Sequence, residues 1–213
     1  TLYHASLNDS IPATPRVVDI NDDDIIDRIY MGDTGGNVWR IDLFNQDVET
    51  AYNTSPPPSY SSRGALTLYS TDSRLSWSIF KLANLGRGDV ANLSNDRRFF
   101  NQIDFVQTRD ANGNFDALLL GSGHRNNPNE TNTQNRFYML KDKNVIAYKF
   151  QTGVCETDVT LEAYDPYCKT IPSPLTNSSL SDVTTAALVA YSTNGWRLDL
   201  AASGEKNLSS SVT

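Results

Sequence analysis

The chain has 213 residues, 38% of them hydrophobic and 20% charged, which is enough for one ordinary domain with a real core. Its net charge of -7 argues against a sequence-independent phosphate-binding surface, so nucleic acid is not an expected partner. No stretch approaches the roughly 20 apolar residues of a membrane-spanning helix. The chain begins at Thr1 with neither an initiator Met nor a charged-then-apolar signal segment, and so reads as an excised or processed piece.

The regular stretches are short and mostly alternate, which predicts strands. Arg28-Ile29-Tyr30-Met31 is the first. Next, Val38–Leu43 places Trp39, Ile41 and Leu43 on one face and Arg40 and Asp42 on the other, as in a half-buried strand. Gly64–Ser70 follows. Arg74–Leu85 is ambiguous, since Leu75, Ile79 and Leu82 fit a helix while Trp77–Phe80 alternates; strand is preferred. Phe99–Gln107, Ala117–Leu120, Arg136–Leu140, Val145–Phe150 and Ala186–Tyr191 complete the series, rich in the β-branched and aromatic residues that suit a pleated surface. The polar connections 45–62, 125–135 and 151–182 read as loops on this scaffold. The first contains Pro56-Pro57-Pro58, which cannot join a central strand.

The two cysteines, Cys155 and Cys168, share one of these loops without a CxxC or histidine cluster, so zinc is not expected. A local disulfide is preferred over two free thiols. It would place the chain in an oxidising compartment.

Two internal echoes suggest a repeat. Trp39-Arg40-Ile41-Asp42-Leu43 recurs as Trp196-Arg197-Leu198-Asp199-Leu200, each after an Asn/Gly turn. Asp19-Ile20-Asn21-Asp22-Asp23 is echoed by Asp110-Ala111-Asn112-Gly113-Asn114, each followed by an apolar strand ending in glycine (Gly32, Gly121). Turn–strand units at such intervals suggest a β-propeller built from four-stranded blades. At about 40–50 residues per blade the chain would hold three or four, fewer than a closed ring.

The acidic loop Asp19–Asp27 carries the clearest chemistry. Asp19, Asn21, Asp23 and Asp27 occupy positions 1, 3, 5 and 9 of a hard-cation loop, with the Ile25 carbonyl at position 7. Calcium takes six to eight oxygen ligands, and alternate residues of a tight turn can aim theirs at one centre. The alternative is a solvated acidic turn, against which the flanking Val17-Val18 and Ile25-Ile26 argue. The loop departs from an EF-hand, having Asp24 at position 6 and Tyr30 at position 12, and it leads into a strand. The loop at Asp110, Asn112, Asn114 and Asp116 has fewer carboxylates and reads as an Asx-type turn.

Other motifs are weaker. Gly121-Ser122-Gly123-His124 lacks the nucleophile-elbow spacing and reads as a strand-end turn. Asp33-Thr34-Gly35-Gly36-Asn37 lacks the lysine and helix of a phosphate-binding loop and reads as a hairpin turn. Arg87-Gly88-Asp89 is an integrin-type tripeptide, a pattern that arises often by chance. No carboxylate pair in an apolar setting suggests acid–base catalysis, and no enzyme activity is expected.

The run Val18–Leu43 closely resembles the C-terminal propeller of the PilY/PilC family of type IV pilus tip-associated adhesins and biogenesis factors. Further matching segments are Arg97–Phe100, Leu120–Arg125 with Pro128, Arg136–Met139, Asn194–Leu200 and Gly204-Glu205-Lys206, in order from about Pro12 to Lys206. The resemblance implies an all-β fold, part of a modified seven-bladed propeller with long loops. It reads 1–213 as a fragment of that domain, without the N-terminal region and the early blades. It also implies calcium (Ca2+) in the Asp19–Asp27 loop, regulating pilus extension against retraction and supporting adhesion or twitching motility. The partners it implies are minor pilins or other pilus components, a host or abiotic surface, and the remaining portion of the same protein. The location it implies is extracellular, at the pilus tip or bacterial cell surface. Two alternatives stay open: a quinoprotein-dehydrogenase-like propeller enzyme, and a pilus-unrelated, calcium-stabilised secreted binding propeller.

Overall fold

A computed structural model describes residues 4–20, 22, 24–43, 77–87, 92–145, 149–151, 153, 155, 168–185 and 193–212. The fold is all-β, a partial propeller-like arrangement of two five-stranded sheets. In the first, β1 (Arg16–Val18), β2 (Arg28–Gly32), β3 (Asn37–Leu43) and β4 (Trp77–Asn84) form an antiparallel meander. The second repeats this with β5 (Asp104–Asp110), β6 (Gly113–Gly121), β7 (Arg136–Asp142) and β12 (Gly195–Asp199). Each sheet then gains one short parallel strand at its end: β10 (Leu175–Thr176) on β4, and β11 (Ser181–Asp182) on β12. A separate parallel pair joins β8 (Lys149–Gln151) to β9 (Cys168–Thr170).

The segment 175–182 therefore crosses from one sheet to the other. Between β10 and β11, Leu180 is buried in the common core. Asn177 donates through Nδ2 to the Leu85 carbonyl (3.0 Å), and its Oδ1 accepts from Arg136 (2.9 Å) and the Tyr138 hydroxyl (3.0 Å). One side chain thus ties the end of β4 to β7.

The alternation in β3 is as the sequence indicates, but the charged face is buried as fully as Trp39 on the other. Arg40 and Asp42 are both 0% exposed, while Ile41 and Leu43 are half-buried. The charged face points between the sheets, where carboxylates from the second sheet meet it. The other face carries Val17, Ile29, Ile41 and Ile79 in one cross-strand row over four strands. The alternation of residue types shows that the two faces differ but does not say which lies deeper.

The core joins Val18, Tyr30, Val38, Phe80, Leu82 and Leu85 of the first half to Leu118, Leu120, Tyr138 and Leu140 of the second. Phe99 and Ile103 belong to it from irregular backbone, since β5 begins only at Asp104 rather than at Phe99. Trp77–Asn84 is a strand, as preferred over a helix. The connection 151–182 holds β9, β10 and β11, too short and polar to show a period in sequence. The expected strands Gly64–Ser70 and Ala186–Tyr191 and the connection 45–62 lie outside the described residues. Of Val145–Phe150, the described strand residues are Lys149 and Phe150. Cys155 and Cys168 form the expected disulfide, with Cα atoms 5.7 Å apart.

Both Asn/Gly turns use glycine for its backbone. Gly36 (φ 80°) sits against the Gly86 backbone and the Arg97 carbonyl, and Gly195 (φ 111°) against the Met139 carbonyl. A side chain at either position would meet main chain. The two echoed Trp strands occupy different places, however: β3 is the third strand of its sheet and β12 the fourth. The acidic echoes are equivalent, each joining the first two strands of a sheet.

Candidate functional site

The loop between β1 and β2 is organised by its own carboxylates. Asp19 accepts the backbone N–H of Asp22 on Oδ1 and that of Asp24 on Oδ2, each at 2.8 Å. Asp27, 7% exposed, accepts the Ile20 N–H on Oδ2 at 2.7 Å. Its backbone closes the loop, donating to the Val18 carbonyl (3.0 Å) and accepting from Leu43 (2.8 Å). Asp22 (φ 62°) and Asp24 (φ 68°) adopt left-handed backbone, which Asp tolerates better than most residues and which curls the chain tightly.

Of the five expected calcium donors, Asp19, Ile25 and Asp27 are described, while Asn21 and Asp23 lie outside the described residues. Among the described residues no three His, Cys, Asp or Glu side chains gather into a metal-binding group. The donor chemistry nevertheless fits a hard cation, being entirely oxygen. The left-handed residues Asp22 and Asp24 each donate a backbone N–H to Asp19, and Asp27 is held at the far end of the loop.

Directly behind this loop lies a buried charge network that the sequence reading did not anticipate. It spans β2, β3, β6 and β7, with Arg28, Tyr30, Arg40, Asp42 and Asp116 at 0% exposure and Asp142 at 2%. Arg40 grips Asp42 through two bonds of 2.7 Å, reaches Asp142 at 2.6 Å, and donates to the Asn144 carbonyl at 2.8 Å. Arg28 pairs with Asp42 (3.4 Å) and with Asp116. The Tyr30 hydroxyl lies 3.1 Å from Asp116 and 2.9 Å from Asp142. Burial opposes the charge on Arg40, but Asp142 and Asp42 outweigh it and hold its pKa above the ordinary arginine value. Burial dominates at Asp116, with Arg28 pulling down and Asp142 pushing up; its pKa is raised to about 6. The signal available in sequence was a charged residue at matching parity on several apolar strands.

A cleft of about 460 Å³ opens between the loop and the second sheet, lined by Ile20, Gln107, Arg109, Phe115, Asp116 and Val145 among others. On the second sheet, the turn equivalent to the acidic loop is short. The Asn112 N–H donates to Asp110 Oδ1 at 2.7 Å, an Asx turn as expected, and Lys141 donates to Asp110 Oδ2 at 2.6 Å.

The remaining motifs are accounted for by local structure. Asp33 accepts from the N–H groups of Gly35 (2.9 Å) and Asn37 (2.8 Å) and from Trp39 Nε1 (2.7 Å), so the Gly-rich turn is organised from within. Ser122 is buried, its Oγ bonding Asn135 and the Arg136 N–H, while His124 stacks on Phe100. Of the Arg-Gly-Asp tripeptide, Arg87 is described; Gly88 and Asp89 lie outside the described residues.

No protein-family profile matches the chain, and no curated protein matches it significantly. Among solved structures, the fold is similar to the Pseudomonas aeruginosa PilY1 C-terminal domain, with a TM-score of 0.50 at 17% sequence identity. The alignment covers 93% of this chain and 41% of that domain, so the chain spans less than half the length of its structural neighbour. The likeness is one of fold. Among the described residues no helix is long and apolar enough to cross a membrane.

Proposed function

We propose that this chain is a calcium-binding, propeller-like module of a type IV pilus-associated surface protein, acting by binding rather than by catalysis. The observation that carries the reading is the fold likeness to the PilY1 C-terminal domain over 93% of the chain, in a chain whose β1–β2 connection is the acidic loop. Asp19 and Asp27, with Asn21, Asp23 and the Ile25 carbonyl, would hold the ion. When bound, it would neutralise carboxylates that otherwise repel one another. The backbone N–H bonds to Asp19 and Asp27 keep the turn curled, and Asp27 lies one residue before Arg28, which bridges to the second sheet. A change of order in the loop therefore acts on the sheet junction. It can shift binding of a minor pilin or other pilus component only by the difference in affinity between the two states.

The disulfide supports a location outside the cytoplasm, at the cell surface or pilus. The apolar row Val17, Ile29, Ile41 and Ile79, with Val17 51% exposed, supports packing of a further sheet from the remaining portion of the same protein. Calorimetric calcium titration of the chain beside an Asp19→Ala/Asp27→Ala variant tests the ion site. Saturable binding lost in the variant is expected, and a folded wild-type chain that takes up no calcium would remove the regulatory reading. Calcium-dependent capture of purified minor pilins then separates the pilus role from a pilus-unrelated binding propeller.

A further inference from the structure

We propose that Asp116 is a proton switch at the junction between the two sheets, taking up a proton in mildly acidic conditions and relieving an uncompensated buried charge. Among the described residues, the network sets three carboxylates (Asp42, Asp116, Asp142) against two guanidiniums (Arg28, Arg40), and all five groups are inaccessible or nearly so. An unbalanced charge removed from water is expensive, and a titratable group in that position neutralises instead.

Geometry selects the group. Asp42 is engaged on both oxygens, by Arg28 and Arg40 on Oδ1 and by Arg40 on Oδ2. Asp142 likewise uses both, accepting the Asn144 N–H on Oδ1 at 3.1 Å and Arg40 and Tyr30 on Oδ2. Asp116 engages Oδ2 with Arg28, the Tyr30 hydroxyl 3.1 Å away having one proton to share with the nearer Asp142, and its Oδ1 is buried without a hydrogen-bond partner. A carboxylate with one bare buried oxygen is the member least able to keep its charge.

The surroundings on every side agree. From β2 come Arg28 and Tyr30, and from β3 come Arg40 and Asp42. On β7, Asp142 is the cross-strand partner of Asp116, and on β5 its partner is the uncharged Gln107. Arg109 lines the cleft beside it but is exposed, so its charge is screened by water. On the loop side, the Asp27 carboxylate is turned onto the Ile20 N–H. Burial is the main cause that lifts Asp116 to about 6, against the attraction of Arg28. The cleft brings solvent to the edge of the network, which is the path a proton needs.

The sign follows from linkage. Asp116 binds its proton more tightly folded than unfolded. Its stabilising contribution is therefore complete below the ordinary Asp pKa near 4 and is lost as the pH rises through about 6. This runs opposite to the usual acid denaturation of salt-bridged carboxylates.

The test is urea unfolding of the full chain and of Asp116→Asn at fixed free calcium between pH 4.5 and 7.5, repeated without calcium. The asparagine variant is neutral throughout. The unfolding constant of wild type relative to the variant is expected to rise about 25-fold over that range, with or without calcium. A ratio flat within about twofold overturns the proposal. Carbon NMR of wild-type chain labelled at the Asp carboxyl carbons gives a reading that does not depend on the variant folding. One Asp resonance titrating near pH 6 is expected, and titration of every Asp below about pH 5 overturns the assignment.

Discussion

The interior between the two sheets has two unlike ends. Away from the acidic loop, Leu82, Leu85, Leu118, Leu120 and Leu140 pack as an ordinary apolar core. At the loop end, the same faces carry Arg28, Arg40, Asp42, Asp116 and Asp142, buried as deeply as the leucines. The apolar end draws its stability from area removed from water, which is tolerant of detail. The charged end returns little net energy after desolvation, yet any single loss there strands a charge. Equal burial conceals unequal sensitivity. The charged end also lies directly behind the loop, where a change in the turn reaches it through one peptide bond, from Asp27 to Arg28.

The largest expected effect breaks the charged end. Arg40→Met leaves Asp42 and Asp142 without their main partner and should cost about 3–5 kcal/mol in urea unfolding at pH 7. At the apolar end, Leu118→Ala should cost about 3 kcal/mol through lost contacts and a cavity. If Arg40→Met proves milder than Leu118→Ala, water reaches the charged end and the contrast fails. Cys155→Ser serves as a reference outside the charged network. Loss of the disulfide should cost about 3 kcal/mol under oxidising conditions, with no change in the pH profile assigned to Asp116.

Next in size is the calcium effect. At about 100 times its dissociation constant, calcium should stabilise the wild-type chain by about 2.7 kcal/mol and the Asp19→Ala/Asp27→Ala variant not at all. Equal stabilisation of both would place the ion elsewhere. The smallest effect sharpens the comparison between equivalent turns. Asp110→Ala should leave calcium binding unchanged and lower the melting temperature slightly. Asp110 is half-buried, and its carboxylate engages Lys141 and the Asn112 N–H on the second sheet rather than the acidic loop.

The strands β3 and β4 were legible from alternation, and β2, β6 and β7 from apolar and aromatic runs bounded by polar turns. The disulfide and the acidic loop were legible from residue type and spacing. What escaped was partnership. Residues 151–182 read as a loop, since strands of two or three polar residues show no period; tertiary pairing makes β10 and β11 the straps between sheets. Phe99 and Ile103 looked like part of a strand because buried apolar residues resemble one whether or not their backbone pairs. At the candidate site, the acidic character of Asp19 and Asp27 was legible, but the backbone bonds that hold their carboxylates depend on the left-handed turn.

The sequence by itself determined an all-β chain of propeller-like strands, an acidic, oxygen-rich turn, and a cysteine pair able to close. These follow from local chemistry: side-chain period, donor type and short separation along the chain. Only the tertiary structure decided that the charged face of β3 is the inner one, that Asp116 meets Arg28 from 88 residues away, and that one of its oxygens is left bare. Stacking two sheets sets which faces lose their water, and that loss, rather than residue identity, makes a surface-type arginine or aspartate into a buried network.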